Sequence, residues 1–280
     1  MNPTTLPVDQ ARRETKLQSN LPDAIGERVA AGRIHWAGPL VLVCLRTTMW
    51  MTTQGLLAVV FLLRHHATPW REATYWFTIC GTTGDLTCLA ALKYLTRREH
   101  IRLRDLLGPI RMRHGRDLWL GLACYAMAAV CFMGGGMLSQ RIFYGASKTN
   151  PGAYLIQSHA LPLWAVIYIV AVWWVIQSST EELTYQGYCL PRLEALTQRA
   201  WGWPWIGAAV VIFWFTLQHC AIGFVPDARF LIYRFCAFLP GVVLMVILYR
   251  RIRRLAPLIL AHWPMDILVA FMTTTSLLSR

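Results

Sequence analysis

Apolar runs of membrane-spanning length alternate along this chain with short polar stretches rich in arginine. Residues 36–63 are apolar apart from Arg46, and 73–92 apart from Asp85. Residues 118–138 carry no formal charge, and neither 150–180 nor 200–226 contains Asp, Glu, Lys or Arg. The run 235–249 is short but extends back to Phe230 past Arg234, and 255–279 carries only His262 and Asp266. A spanning helix needs about 20 mostly apolar residues. The pattern therefore predicts seven spanning helices and a weaker eighth at 181–196. The fold class expected is all-α, a polytopic helical bundle of about eight transmembrane or membrane-embedded helices. Residues 1–33 read as a polar N-terminal tail without the apolar core of a signal peptide. Residues 34–145 read as N-terminal transmembrane helices with a basic loop at 96–116, and 146–280 as a second unit.

Composition agrees. Of 280 residues, 56% are hydrophobic and 15% charged, against about 25% charged in a soluble domain. Disorder is excluded, because it needs low hydrophobicity. The net charge of +13 is better explained by topology than by a nucleic-acid partner. Seven Arg lie between 97 and 116 and five Lys/Arg in the tail, which predicts cytoplasmic placement for both. The 250–254 cluster should share that side if 181–196 does not cross, and falls outside if it does. The expected partner is the lipid bilayer, with no nucleic acid. The expected localisation is the bacterial inner membrane with the N-terminus cytoplasmic. The eight Cys contain no CxxC pair and read as small buried hydrophobes.

Acidic residues are scarce: of 14, only Glu181, Glu182, Glu194, Asp227 and Asp266 follow residue 117. Ionisable groups at membrane depth are costly and usually mark function. Three local patterns hold most of them. In Ser178-Ser179-Thr180-Glu181-Glu182, the hydroxyls before two acids signal a helix N-terminus. Glu181 and Glu182 then either cap a helix at the interface or supply a general base in an apolar setting. Tyr185 would share the face of Glu181. In Phe215-Thr216-Leu217-Gln218-His219, the histidine reads as a structural residue or a functional imidazole. In His262-Trp263-Pro264-Met265-Asp266, the i, i+4 pair is either self-neutralising or an imidazole with an orienting carboxylate. Arg46 and Asp85 either pair with each other or sit near an interface, and no role is assigned to them.

The order of the three patterns is more specific than any one of them. It resembles the CPBP family of intramembrane proteases, which includes the CAAX prenyl endopeptidases and bacterial Abi-type proteins. The family pattern is EExxxR, FxxxH and HxxxN/D, and the resemblance covers about residues 150–275. It implies an eight-helix membrane enzyme that cuts a peptide bond of a membrane-embedded or lipid-modified substrate. Glu181 would activate water, His219 and His262 would assist, and Glu182 would be a supporting carboxylate. Asp266 stands where many members carry Asn, and Tyr185, Gln186 and Phe215 would support the site. Two departures matter. Gln186 occupies the motif arginine, so a charge is lost. An ionised Asp266 cannot donate to an oxyanion as Asn does, and suits the orienting of His219 or His262 better.

No cofactor is expected. The rival is a divalent metal such as zinc held by Glu181, His219 and His262, although no HExxH occurs. Two further readings stay open: a non-catalytic membrane scaffold or immunity protein of the same fold, and a proton- or ion-relay transporter. With Glu181 at the start of its helix and His262 about 10 Å into the last, the three groups meet only deep in the bilayer or through tilted or offset helices.

Overall fold

The computed structural model describes residues 20–108, 115–145, 149–152 and 161–274. Most of the expected polar tail (1–19), part of the basic loop (109–114) and part of the uncharged run at 150–180 (153–160) lie outside the described residues. The described residues contain helices and no strand: α1 Pro22–Ala30, α2 Ala37–Leu63, α3 Pro69–Thr74, α4 Phe77–Arg98 and α5 Arg116–Tyr144, then α6 Leu163–Trp201, α7 Pro204–Ala221, α8 Ala228–Ile252 and α9 Ala256–Thr274. The all-α membrane bundle expected from the hydrophobic pattern is what forms. Six helices, α2 and α5 to α9, are long and apolar enough to cross a membrane. The seventh long helix, α4, carries Asp85, Lys93, Arg97 and Arg98 and is less apolar.

One expectation changes. Residues 181–196 are not a separate eighth span. They continue α6, a single helix of 39 residues, so Glu181 stands near its middle and caps nothing. The hydroxyls that read as capping groups are used otherwise. Ser178 Oγ donates to the Trp174 carbonyl at 2.8 Å, the i−4 bond open to a mid-helix serine. The helix passes through two π-helical stretches, Ile169–Trp173 and Leu183–Cys189. Such wide turns are often found at functional sites.

The merging of the two segments resolves the topology. Arg254 pairs with Asp117 at the start of α5, and Leu255 N donates to Leu107 O at 2.9 Å. The 250–254 cluster and the described part of the 96–116 loop thus share one end of the bundle. The same end holds Arg192, whose Nε and Nη2 donate to Glu99 at 2.8 and 2.6 Å. At the other end, Gln54 and Trp70 both donate to the Phe224 carbonyl.

One core serves all the long helices. It takes Leu42 from α2, Leu92 from α4, Cys124 from α5, Tyr185 and Leu193 from α6, Phe215 from α7, Met245 from α8 and Leu258 from α9. Glycines set the closest approaches. A Cβ on Gly207 would stand 2.4 Å from the Leu193 carbonyl carbon, and one on Gly81 would stand 2.7 Å from the Trp50 ring. Small residues at such crossings let membrane helices pack where no hydrophobic force drives them together. All eight cysteines are free. The exposed side chains of α2 and α5, among them Leu56, Leu63, Trp119, Val130 and Met133, form the kind of apolar surface that a hydrocarbon solvent accepts.

Candidate active site

The two acids of α6 and the two histidines of α7 and α9 converge inside the bundle. Glu181 and Glu182 are buried, 1% and 0% exposed. His219 Nε2 and His262 Nε2 each lie 3.8 Å from the same atom, Glu181 Oε1. The depth mismatch expected from the sequence vanishes once Glu181 is mid-helix, because α7 and α9 then meet α6 away from its ends.

Each histidine is aimed by its other nitrogen. His219 Nδ1 lies 2.8 Å from the Phe215 carbonyl. A carbonyl only accepts, so Nδ1 carries the proton and Nε2 faces Glu181. The Phe-x-x-x-His spacing gains a second reason here. The Phe215 ring stacks on His219 at 5.7 Å between centroids, Phe238 covers the imidazole at 4.2 Å, and Tyr185 stacks on Phe215 at 4.6 Å. These aromatic faces fix the ring plane. His262 Nδ1 donates to Glu182 Oε1 at 3.0 Å. The second glutamate of the pair therefore orients the histidine of the third motif. Asp266 Oδ2 lies at hydrogen-bond distance, 2.6 Å, from Ser178 Oγ, tying α9 to α6.

Glu181 is held on one oxygen only. Arg46 Nη1 donates to Oε2 at 2.6 Å, and Gln177 Nε2 approaches Oε2 at 3.4 Å. Oε1 is buried and accepts no hydrogen bond. The carboxylate thus presents a single oxygen to the two imidazoles. Arg46 Nε donates to Asp85 Oδ1 at 2.9 Å and Nη2 lies 2.8 Å from the same oxygen as an ion-pair contact, so the two ionisable groups of the first spans do pair. Gln186 is fully buried, and neither its oxygen nor its nitrogen has a hydrogen-bond partner.

The set Glu181, His219 and His262 is the one a metal would need. Ligands at about 2.0–2.2 Å from a tetrahedral ion stand roughly 3.3–3.5 Å apart, and the 3.8 Å separations here are wider. Among the described residues no group of three or more His, Cys, Asp or Glu side chains is arranged to hold a metal ion.

Sequence reasoning did not assign Arg46, Asp85, Gln218, Ser178 or Phe238 to the site. Arg46 and Asp85 carried a signal, as charges in apolar runs. The other three are ordinary residues that only tertiary packing brings to the cluster.

Residues 162–268 match the family model described as type II CAAX prenyl endopeptidase Rce1-like. The matched segment contains all three motifs and agrees with the resemblance they carry. Comparisons with curated proteins and with solved structures give no match. The spanning helices and the membrane-protease match together define an integral membrane protein, and a protease kind of activity is what the match supports.

Proposed function

We propose that the protein is an intramembrane endopeptidase that hydrolyses a peptide bond of a membrane-embedded or lipid-modified substrate without a metal cofactor. The observation that carries this reading is the convergence of both imidazole Nε2 atoms on the one free oxygen of Glu181.

In this reading a water beside Glu181 Oε1 gives its proton to that oxygen as its own oxygen attacks the substrate carbonyl carbon. His262, whose Nδ1–H is held by the Glu182 carboxylate, carries a second proton on Nε2 and donates it as a hydrogen bond to the developing oxyanion. His219, held by a neutral carbonyl, accepts from the water through Nε2 and orients it. The C–N bond then breaks, and the proton on Glu181 passes to the leaving amine. The surrounding helices keep bulk solvent out, which strengthens these interactions. The arginine-rich end of the bundle lies on the cytoplasmic side of a bacterial inner membrane by the positive-inside rule. The family match favours a prenylated or otherwise lipid-modified polypeptide as substrate.

Substrate trapping tests the reading. A Glu181→Gln protein, expressed in host membranes and purified with its bound partners, should hold a membrane-associated polypeptide identifiable by mass spectrometry. The wild type should yield the truncated form of the same polypeptide. A trapped partner that is never truncated would count against hydrolysis and favour a scaffold.

A further inference from the structure

The motif arginine is absent here, since position 186 is a glutamine, yet a guanidinium still reaches the glutamate from a different helix. We infer that Arg46 of α2, braced by Asp85 of α4, is the positioning residue for Glu181 and does the work that a charge at position 186 would do. This inference rests on the peptidase reading.

The geometry carries it. Arg46 is fully buried, and its fork is divided between two tasks. Nε donates to Asp85 Oδ1 with Nη2 in ion-pair contact with the same oxygen, and Nη1 donates to Glu181 Oε2 at 2.6 Å and to Gln218 Oε1 at 2.5 Å. Asp85 therefore fixes the plane and direction of the guanidinium, and Nη1 serves α6 and α7 together. Gln218 adjoins His219, so one nitrogen registers the base and an assisting histidine in the same frame. The Trp50 ring lies 5.1 Å from the guanidinium carbon and limits its swing.

A self-neutralising Arg46–Asp85 pair would account for the burial of both groups, but it would not need Glu181. The contact to Glu181 is the shorter one, 2.6 Å against 2.8 Å. All the hydrogen bonding on Glu181 falls on Oε2, which leaves Oε1 turned to the two imidazoles. A carboxylate pinned at one oxygen by a rigid fork can rotate little, whereas one flanked by Gln186 alone would have no charged anchor. The backbone also prepares the approach. A Cβ on Gly84 would stand 3.5 Å from the Arg46 carbonyl, so α4 lies close against α2 where Asp85 must reach across.

The test uses the full chain in proteoliposomes and a farnesylated reporter peptide ending in a CAAX-type sequence, flanked by a fluorophore and a quencher. Arg46→Gln should lower kcat about 100-fold with KM changed less than about threefold, the signature of a lost transition-state contribution rather than lost binding. Arg46→Lys keeps the charge but not the fork, and should recover only part of the rate. Asp85→Asn should lower kcat in the same sense, and its effect should largely disappear in the Arg46→Gln background, because the two act as one unit. Adding Gln186→Arg to Arg46→Gln should raise kcat again. A monodisperse Arg46→Gln protein with kcat within about twofold of wild type would overturn the inference while leaving the peptidase reading intact. If Arg46→Gln fails to fold, full kcat in both Arg46→Lys and Asp85→Asn would overturn it equally. No cleavage by the wild type would remove the peptidase reading for this probe and the inference with it.

Discussion

Glu182 and His262, eighty residues apart on α6 and α9, are joined by a 3.0 Å hydrogen bond from imidazole Nδ1 to carboxylate Oε1. The two acids of the Glu-Glu pair thereby take different partners: Glu182 holds a histidine, and Glu181 turns Oε1 toward both imidazoles. Glu182→Gln keeps an acceptor for Nδ1–H and loses the charge, while Glu182→Ala loses both. Peptide cleavage should fall modestly in the first and by about 10²-fold or more in the second. Equal rates for both variants would show that the hydrogen bond does not matter. Steady-state kinetics in proteoliposomes distinguishes these outcomes.

His219 depends on aromatic faces. Phe215 and Phe238 enclose its ring, so Phe238→Leu should loosen it without touching its Nδ1 bond. A kcat decrease of about tenfold, with the protein still folded, is expected from misplacing an assisting group. Phe213→Leu, on the exposed face of α7, should leave kcat unchanged.

Helix packing around the site is testable through its glycines. Gly207→Ala would set a methyl 2.4 Å from the Leu193 carbonyl carbon, and backbone cannot swing aside as a side-chain end can. The crossing of α6 and α7 must open, at a cost of about 1–3 kcal/mol by analogy with overpacked cores. Thermal unfolding in detergent should show the loss. Gly134→Ala, which meets nothing within 4 Å, should not.

The topology makes a further prediction. With α6 as one crossing element, positions 100 and 251 share an end, as the Arg254–Asp117 pair requires. In a background whose eight native cysteines are replaced, His100→Cys and Arg251→Cys should react with an impermeant maleimide from the same side, and Thr68→Cys from the other. Opposite-side labelling of positions 100 and 251 would restore an additional span.

Much of this was legible in the residues, for identifiable reasons. Hydrophobic run length reports the solvent directly, so the helical bundle followed from it. The order of Glu181-Glu182, Phe215–His219 and His262–Asp266 marked the cluster, because it sets an acid pair in an apolar run beside two i, i+4 helical spacings. The helix boundary at Glu181 misled, since Ser178 and Thr180 look like capping residues. Ser178 instead bonds back to Trp174 and across to Asp266, and two π stretches carry the helix on. The role of Arg46 was hidden for a different reason. Its partners lie 39, 135 and 172 residues away, on three other helices, and no local pattern encodes that meeting.

If Glu181 is the base of a peptide-bond hydrolysis, removing its basicity alone must stop cleavage. The most direct measurement is the single-turnover cleavage rate of a membrane-reconstituted reporter peptide by wild type and by Glu181→Gln, both confirmed as folded. The wild type should cleave, and the rate should fall about 10³-fold or more in the variant, which keeps the shape of the carboxylate and removes its basicity. An unchanged rate in Glu181→Gln would contradict that role for Glu181.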